Sequence, residues 1–379
     1  LPDLNQPSSH DERLNEQGMT GERNNAPTAE AAAAPAPDAR YARQIRYAPI
    51  GQSGQARIGR SRVAIVGMGA LGSVAAQHLV RAGVGYVRII DRDVLEWSNL
   101  QRQVLYTEED VRRMMPKAEA AAMRLRAMNS SVLIEPVIAD VTSLNAEQLL
   151  RDVDLIIDGS DNFTVRYLIN DVSIKHRIPW IYGGVVGSTG MTINVIPDET
   201  PCFRCLFPQP PASGAVDTCD TAGVIAPAVD VVASLQSAEA LKWLSGNRSA
   251  MRDTLLQLDL WHHQWMPLKV SGSRRADCPA CAHRQFEYLE QQLLEPAAVA
   301  LCGRSTVQIT PATAGAAISL ENLELRLSPI GRVERNPFLL RFHRDEEITV
   351  VIFRDGRALV QGTEDPLQAR RIYTEIFGM

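Results

Sequence analysis

Four of the six cysteines stand in two Cys-x-x-Cys pairs, Cys202 with Cys205 and Cys278 with Cys281. Two such pairs offer four thiolates, the donor set of one tetrahedral Zn2+. Four sulfurs leave no open coordination position, so the zinc expected here is structural and not catalytic. The 72 residues between Cys205 and Cys278 exceed a compact zinc ribbon, so the ion would staple distant segments together. Redox-active dithiols are the competing reading.

A second chemistry-bearing stretch runs from Val63 into Gly67, Gly69, Ala70 and Gly72, a Gly-x-Gly-x-x-Gly pattern between an apolar run and a helical one. Glycines permit a tight turn and close backbone approach, and the helix start that follows favours phosphate oxygens. Asp91 closes the next apolar run, placed to accept ribose hydroxyls. A plain NAD dehydrogenase would satisfy that much. The residues beyond are not what such an enzyme needs: Asp93, then Ser98, Asn99, Leu100, Gln101, Arg102 and Gln103, with Lys117 further on and Asp161 and Asn162 after a later strand. Amides and cations gathered beside a phosphate site suit attack on a nucleotide α-phosphate, where charge develops on phosphoryl oxygens and on departing pyrophosphate. Asp161 can hold the Mg2+ such a step requires.

The elements that position these groups follow from periodicity. Strands are expected at 63–66, 86–90, 133–137, 154–157, 179–182 and 191–196, and helices at 71–81, 117–128, 165–175 and 225–244. Alternation of this kind predicts an α/β fold, a Rossmann-like doubly wound sheet, largely parallel with antiparallel additions. Residues 198–223, rich in Pro, Gly and Cys, read as a long crossing loop. Past residue 300 the pattern changes to a small α+β domain, with a hairpin about Asp355-Gly356 and an amphipathic helix at 366–377. Residues 1–40, Ala- and Pro-rich without an aromatic, bury too little to repay ordering and are expected to be a disordered tail. That leaves a domain at 41–285 and an accessory one at 300–379.

Composition excludes other classes. With 39 basic and 44 acidic residues the net charge is −5, which offers nucleic acid no general attraction. No apolar run of 18 residues or secretory leader is evident, so neither a membrane span nor export is expected, and the thiol pairs suit a reducing, cytoplasmic setting. The chain starts at Leu1, so its true N-terminus is expected to lie upstream. Only four of the 39 basic residues are lysines, so Lys117 stands where a compact ammonium is wanted. His262 and His263, read as strand residues, would face opposite ways and make no metal site.

Residues 41–281 resemble the MoeB/ThiF bacterial relatives of ubiquitin-activating enzymes. The resemblance rests on Tyr41-Ala-Arg43-Gln44, on Ser98 through Gln103, on Lys117, on Asp161-Asn162 and on the two cysteine pairs; Ala70 departs from the glycine common in relatives. It implies ATP- and Mg2+-dependent adenylation of the C-terminal glycine of a ubiquitin-like sulfur carrier, in thiamine or molybdenum-cofactor synthesis. Implied roles are Arg102 and Lys117 on phosphates, Asp161 on the metal, and Arg43 reaching into a partner subunit, hence a homodimer. Cys219 falls on a loop cysteine that some relatives link covalently to the activated carrier; a lone loop cysteine is otherwise inert. A persulfide donor such as a cysteine desulfurase is the implied second partner. Adenylation of a peptide in a tailoring pathway, dehydration of a modified tRNA nucleoside and a non-catalytic NAD-binding redox sensor are the alternatives. For the accessory domain, carrier docking is the expected task, its bland alternative being added dimer surface.

Overall fold

The computed structural model describes residues 37–210, 219–290, 297–300, 305–311 and 318–378. Most of the expected N-terminal tail, and Cys302, lie outside these. In chain order the first sheet and its helices are α1 (Pro37–Arg46), α2 (Gly51–Ile58), β1 (Arg62–Val66), α3 (Ala70–Ala82), β2 (Tyr86–Asp91), α4 (Glu108–Arg112), α5 (Lys117–Met128), β3 (Leu133–Ile138), α6 (Ala146–Leu150), β4 (Leu155–Asp158), α7 (Phe163–His176), β5 (Trp180–Val186), β6 (Thr189–Val195), α8 (Phe203–Leu206), α9 (Cys219–Ala222), α10 (Ala226–Ser245), β7 (Thr254–Asp259) and β8 (Gln264–Lys269).

These strands form one eight-stranded sheet in the order β3-β2-β1-β4-β5-β6-β7-β8. Pairing is parallel from β3 through β5 and antiparallel from β5 to β8, as the sequence pattern leads one to expect. Because side chains alternate across a strand, β1 divides its residues between two cores. Val63 and Ile65 pack with Leu79, Ala121, Leu125 and Ala240 from α3, α5 and α10. Ala64 and Val66 face the other way, with Leu168, Ile169 and Val172 from α7. The chain leaves β1 for β2 on one side and returns to β4 on the other. A crevice therefore opens at the carboxyl ends of β1 and β4, the switch point where doubly wound sheets bind ligands.

After α11 (Glu287–Glu290) come β9 (Ala297–Ala300), β10 (Thr306–Thr310), α12 (Leu320–Leu327), β11 (Arg332–Arg335), β12 (Leu339–His343), β13 (Thr349–Phe353), β14 (Ala358–Gln361) and α13 (Pro366–Phe377). Their sheet has the order β11-β12-β13-β14-β10-β9 and is antiparallel throughout. The β13–β14 hairpin turns on Gly356, whose φ of 85° suits glycine alone. One sheet face packs on α12 and α13 through Leu320, Leu323, Ile372 and Ile376. The other offers Leu339, Val351, Phe353 and Leu359 to Val94 and Met114 of the first sheet's loops. The second sheet is thus seated beside the exit of β2.

Two details depart from the sequence reading. The crossing loop holds the single turns α8 and α9. His262 and His263 lie in the turn between β7 and β8, not on a strand, and both are exposed. Asp259 takes His262 Nδ1 at 2.8 Å, and His263 adopts a φ of 55°, so local turn chemistry overrode the alternating pattern.

Candidate nucleotide site and thiol cluster

The glycine loop between β1 and α3 is built on mutual exclusion of side chains. A Cβ on Gly67, at φ 88°, would lie 2.6 Å from the Gly159 carbonyl oxygen; one on Gly159 would lie 2.7 Å from that of Gly67. A Cβ on Gly72 would collide with the Gly67 carbonyl. The three glycines let the β1 and β4 loops and the first turn of α3 touch backbone to backbone. Gly159 was not singled out in the sequence, since only the fold brings it to Gly67. Gly69 differs. A Cβ there would meet only Gln103 Nε2, at 3.9 Å, so the space above it is open. Gly69 is also the N-cap of the 13-residue α3, whose first amides face that space and favour an anion.

Asp91, at the end of β2, is buried, and its carboxylate accepts from the amides of Met68 (2.6 Å) and Asp93 (2.7 Å). Burial raises its pKa, against the pull of Lys117. It therefore braces the glycine loop. Lys117 opens α5, and its Nζ donates to Asp93 Oδ2 at 2.9 Å. Tyr106, unread in the sequence, donates its hydroxyl to the Met68 carbonyl at 2.6 Å, with the Lys117 carbonyl at 3.3 Å, and so ties the glycine loop to α5.

Ser98 to Gln103 spans a short 3₁₀ turn, Trp97–Asn99, and the residues after it. Asn99 is buried and fixes the turn through Glu96 N (3.1 Å). Ser98 and Gln101 are exposed, Leu100 is half-buried, and Gln103 is buried beneath Gly69 with its Oε1 lacking a hydrogen-bond partner among the described residues. Arg102 donates from Nη1 to the Ser98 carbonyl at 2.8 Å, which holds the guanidinium half-exposed.

On the β4 loop Asp161 is exposed, while its neighbours are engaged. Asn162 caps α7 by accepting from Thr164 N at 2.8 Å. Asp158 is fully buried and accepts from Ser160 N (2.9 Å) and from Arg166 Nε (3.1 Å); Arg166 also donates to the Ser160 carbonyl (2.7 Å). Burial raises the Asp158 pKa, which the Arg166 charge opposes. This buried pair, legible only in hindsight as Asp158 and an arginine eight residues on, sets the loop so that Asp161 projects. Asp161 lies two residues past Gly159, whose backbone touches that of Gly67, which sets it beside the glycine loop.

Arg43 is not in the same crevice. It is exposed on α1, and the adjacent Gln44 donates to the Ala82 carbonyl (3.0 Å), at the far end of α3 from Gly69. A 13-residue helix separates the two by about 20 Å. Cys219 begins α9, and its side chain lies outside the described residues.

The four paired cysteines do meet. Sγ of Cys202 lies 3.8 Å from Cys205 and 3.6 Å from Cys278, and Cys205 lies 3.4 Å from Cys281. All four sulfurs fall within 4.8 Å of one another. Tetrahedral Zn–S bonds of ~2.3 Å put sulfurs ~3.8 Å apart, so the set fits zinc. The thiols are free, at distances a disulfide excludes. Arg275 N points at Cys205 Sγ (3.4 Å), a backbone donor suited to a thiolate. Cys202, Cys205 and Cys278 are buried. No described helix is long and apolar enough to cross a membrane.

The family described as "ThiF family" matches residues 41–280. The sulfur carrier protein ThiS adenylyltransferase of Bacillus subtilis is 46% identical over 340 residues, 89% of this chain and 99% of that protein. The sulfur carrier protein adenylyltransferase of Thermus thermophilus is 43% identical over 64% of this chain and 90% of that protein. Among solved structures, Escherichia coli MccB with ATP superposes with a TM-score of 0.56 at 21% identity, over 64% of this chain and 74% of that one, a likeness of fold.

Proposed function

The chain belongs to the ThiF family, and from that premise we propose that it activates the C-terminal glycine of a ubiquitin-like sulfur carrier by adenylation. The observation that carries this reading is the meeting of the glycine loop, Lys117 and Asp161 at the β1–β4 switch point. In the reaction a carboxylate oxygen of the carrier attacks the α-phosphorus of ATP. The bond from that phosphorus to the bridging oxygen breaks, and pyrophosphate leaves with the electron pair, giving an acyl-adenylate.

The α3 amides and the space above Gly69 receive phosphates, and Asp91 faces the ribose. Lys117 exchanges Asp93 for phosphate oxygen, and Arg102 adds a second positive charge as pyrophosphate departs. Asp161 would hold Mg2+, which when bound neutralises phosphate charge. Arg43 cannot reach its own crevice, which supports its service in a partner subunit's site and a homodimer as the working unit. Cys202, Cys205, Cys278 and Cys281 would hold structural Zn2+, clamping the segment after β6 to that after β8. A persulfide donor, such as a cysteine desulfurase, then supplies sulfur. Its terminal sulfur attacks the acyl carbon and AMP leaves; a further thiol attacks the resulting acyl disulfide, forming a new disulfide and freeing the thiocarboxylate. Cys219 is assigned to that later transfer and not to adenylation. Paired cysteines that serve as metal ligands and not as disulfides suit the reducing cytoplasm.

The test is ATP–pyrophosphate exchange with purified protein, Mg2+ and carriers ending in Gly-Gly. Exchange that requires a carrier supports the reading. Exchange driven equally well by an unrelated short peptide would overturn it.

A further inference from the structure

The turn that delivers Lys117 is held in part from the accessory sheet. α4 ends in a Schellman-type pairing, in which Met114 N donates to the Val111 carbonyl (3.0 Å) and Met115 N to that of Asp110 (3.0 Å). That closure puts Met114 at the left-handed position, with a φ of 50°, where glycine is the usual residue. A side chain there is strained and persists only where its surroundings over-determine it. Those surroundings come from the second sheet. Asn336, between β11 and β12, donates from Nδ2 to the Met114 carbonyl at 3.0 Å and to that of Arg113 at 3.2 Å. Met114 itself is buried with Leu339, Val351, Phe353 and Leu359. Phe338 packs half-buried against the core that holds Val111 and Met115. The other end of the Asn336 amide serves its own turn, where Oδ1 accepts from Phe338 N (2.9 Å) and Leu339 N (3.0 Å). Beyond Met114 the chain runs into the crevice. The Met115 carbonyl accepts from Leu95 N (3.1 Å), Lys117 N donates to the Asp93 carbonyl (2.9 Å), and Lys117 Nζ donates to Asp93 Oδ2 (2.9 Å). Each link from Asn336 to the lysine is thus a covalent or a hydrogen bond.

We infer that Asn336 is a positioning residue for Lys117: by holding Met114 in its left-handed turn, it fixes where α5 begins and so where the ammonium can meet phosphate. The inference rests on the nucleotide reading above. Without the clamp, Met114 relaxes toward an ordinary backbone conformation, the chain between α4 and α5 changes course, and Lys117 leaves its register with Asp93. The accessory sheet is then part of the nucleotide site, whereas a role confined to carrier docking would leave ATP affinity untouched.

The test compares ATP binding by calorimetry, and thermal unfolding, in the full chain with Asn336→Asp, Asn336→Leu, Lys117→Met and the Asn336→Asp/Lys117→Met double variant. Aspartate keeps the acceptor that Phe338 and Leu339 use but turns an oxygen toward the two carbonyls, so it breaks the clamp and spares the turn. Leucine fills the same space without charge and loses both. The ATP Kd is expected to rise about tenfold in each, the scale of two neutral hydrogen bonds. The melting temperature should fall further in Asn336→Leu than in Asn336→Asp. In the Lys117→Met background, Asn336→Asp should cost little more affinity. An unchanged Kd in either single Asn336 variant would overturn the inference: a loss in leucine alone follows stability, and a loss in aspartate alone follows its charge. Losses that multiply in the double variant would also overturn it, and each of these results leaves the nucleotide reading intact. Wild-type protein that binds no ATP would overturn both. If Asn336→Asp does not fold, Asn336→Ser keeps a shorter acceptor for the turn and cannot span to Met114, and there too an unaltered Kd would overturn it.

Discussion

The nucleotide crevice and the thiol cluster are both assembled from segments far apart in the chain, yet they are finished differently. Around the crevice the buried groups brace one another, Asp91 on Met68 and Asp158 on Arg166, while Asp161, Arg102 and the space over Gly69 stay accessible. At the thiol cluster the four donors face one another within 4.8 Å, three of them buried. Open polar geometry on a rigid frame suits a changing ligand, whereas a closed donor set suits permanent attachment. Damage to the cluster should therefore cost stability, and damage to the crevice should cost chemistry.

The largest expected effect tests the first half. Cys278→Ser should abolish stoichiometric zinc and lower the melting temperature sharply, since binding energy of a structural zinc is folding energy. Whatever fraction stays folded should keep the wild-type KM for ATP; an altered KM with unchanged melting would mean the cluster does more than hold the fold. Asp161→Ala tests the second half. Exchange should fall by roughly 10²- to 10³-fold, the scale for losing one transition-state charge contact, with melting unchanged.

Gly72→Ala and Gly69→Ala sharpen the contrast inside one loop. The first forces a methyl into the Gly67 carbonyl and should destabilise by about 1–3 kcal/mol or more, read by denaturant unfolding. The second has room for its methyl, so it should raise the KM for ATP more than it lowers stability. Equal stability losses would erase the distinction between the packing glycines and the ligand-facing one. The smallest effect concerns Asn162. Removal of its cap by Asn162→Ala should cost about 1 kcal/mol, and Asn162→Ser should restore it. A deficit in exchange that persists in the serine variant would show that Asn162 also touches substrate.

What was legible in the sequence divides along the same line. The parallel sheet, the Gly67–Gly72 loop and the four zinc-type cysteines announce themselves because apolar runs, glycine spacing and Cys-x-x-Cys are local patterns. The α5 and α13 boundaries at 117–128 and 366–377 were equally plain, fixed by Pro116 and by Asp365-Pro366. Gly159, Tyr106 and the Asp158–Arg166 pair were not, because their meaning comes from neighbours distant in sequence. Arg357, just before β14 and 1% exposed, was hidden more deeply. As the residue after an Asp-Gly turn it reads as a solvated hairpin arginine, and only the packing of the second sheet buries it. Histidines 262 and 263 erred in the other sense: a short strand and the turn before it share one alternating pattern.

The most direct measurement is the mass of the carrier after incubation with this protein, ATP and Mg2+. The account predicts a gain of one adenylyl group at the carrier's C-terminal glycine, absent with Asp161→Ala. A carrier left unmodified while the protein binds and turns over ATP, or one adenylylated at another position, would contradict it.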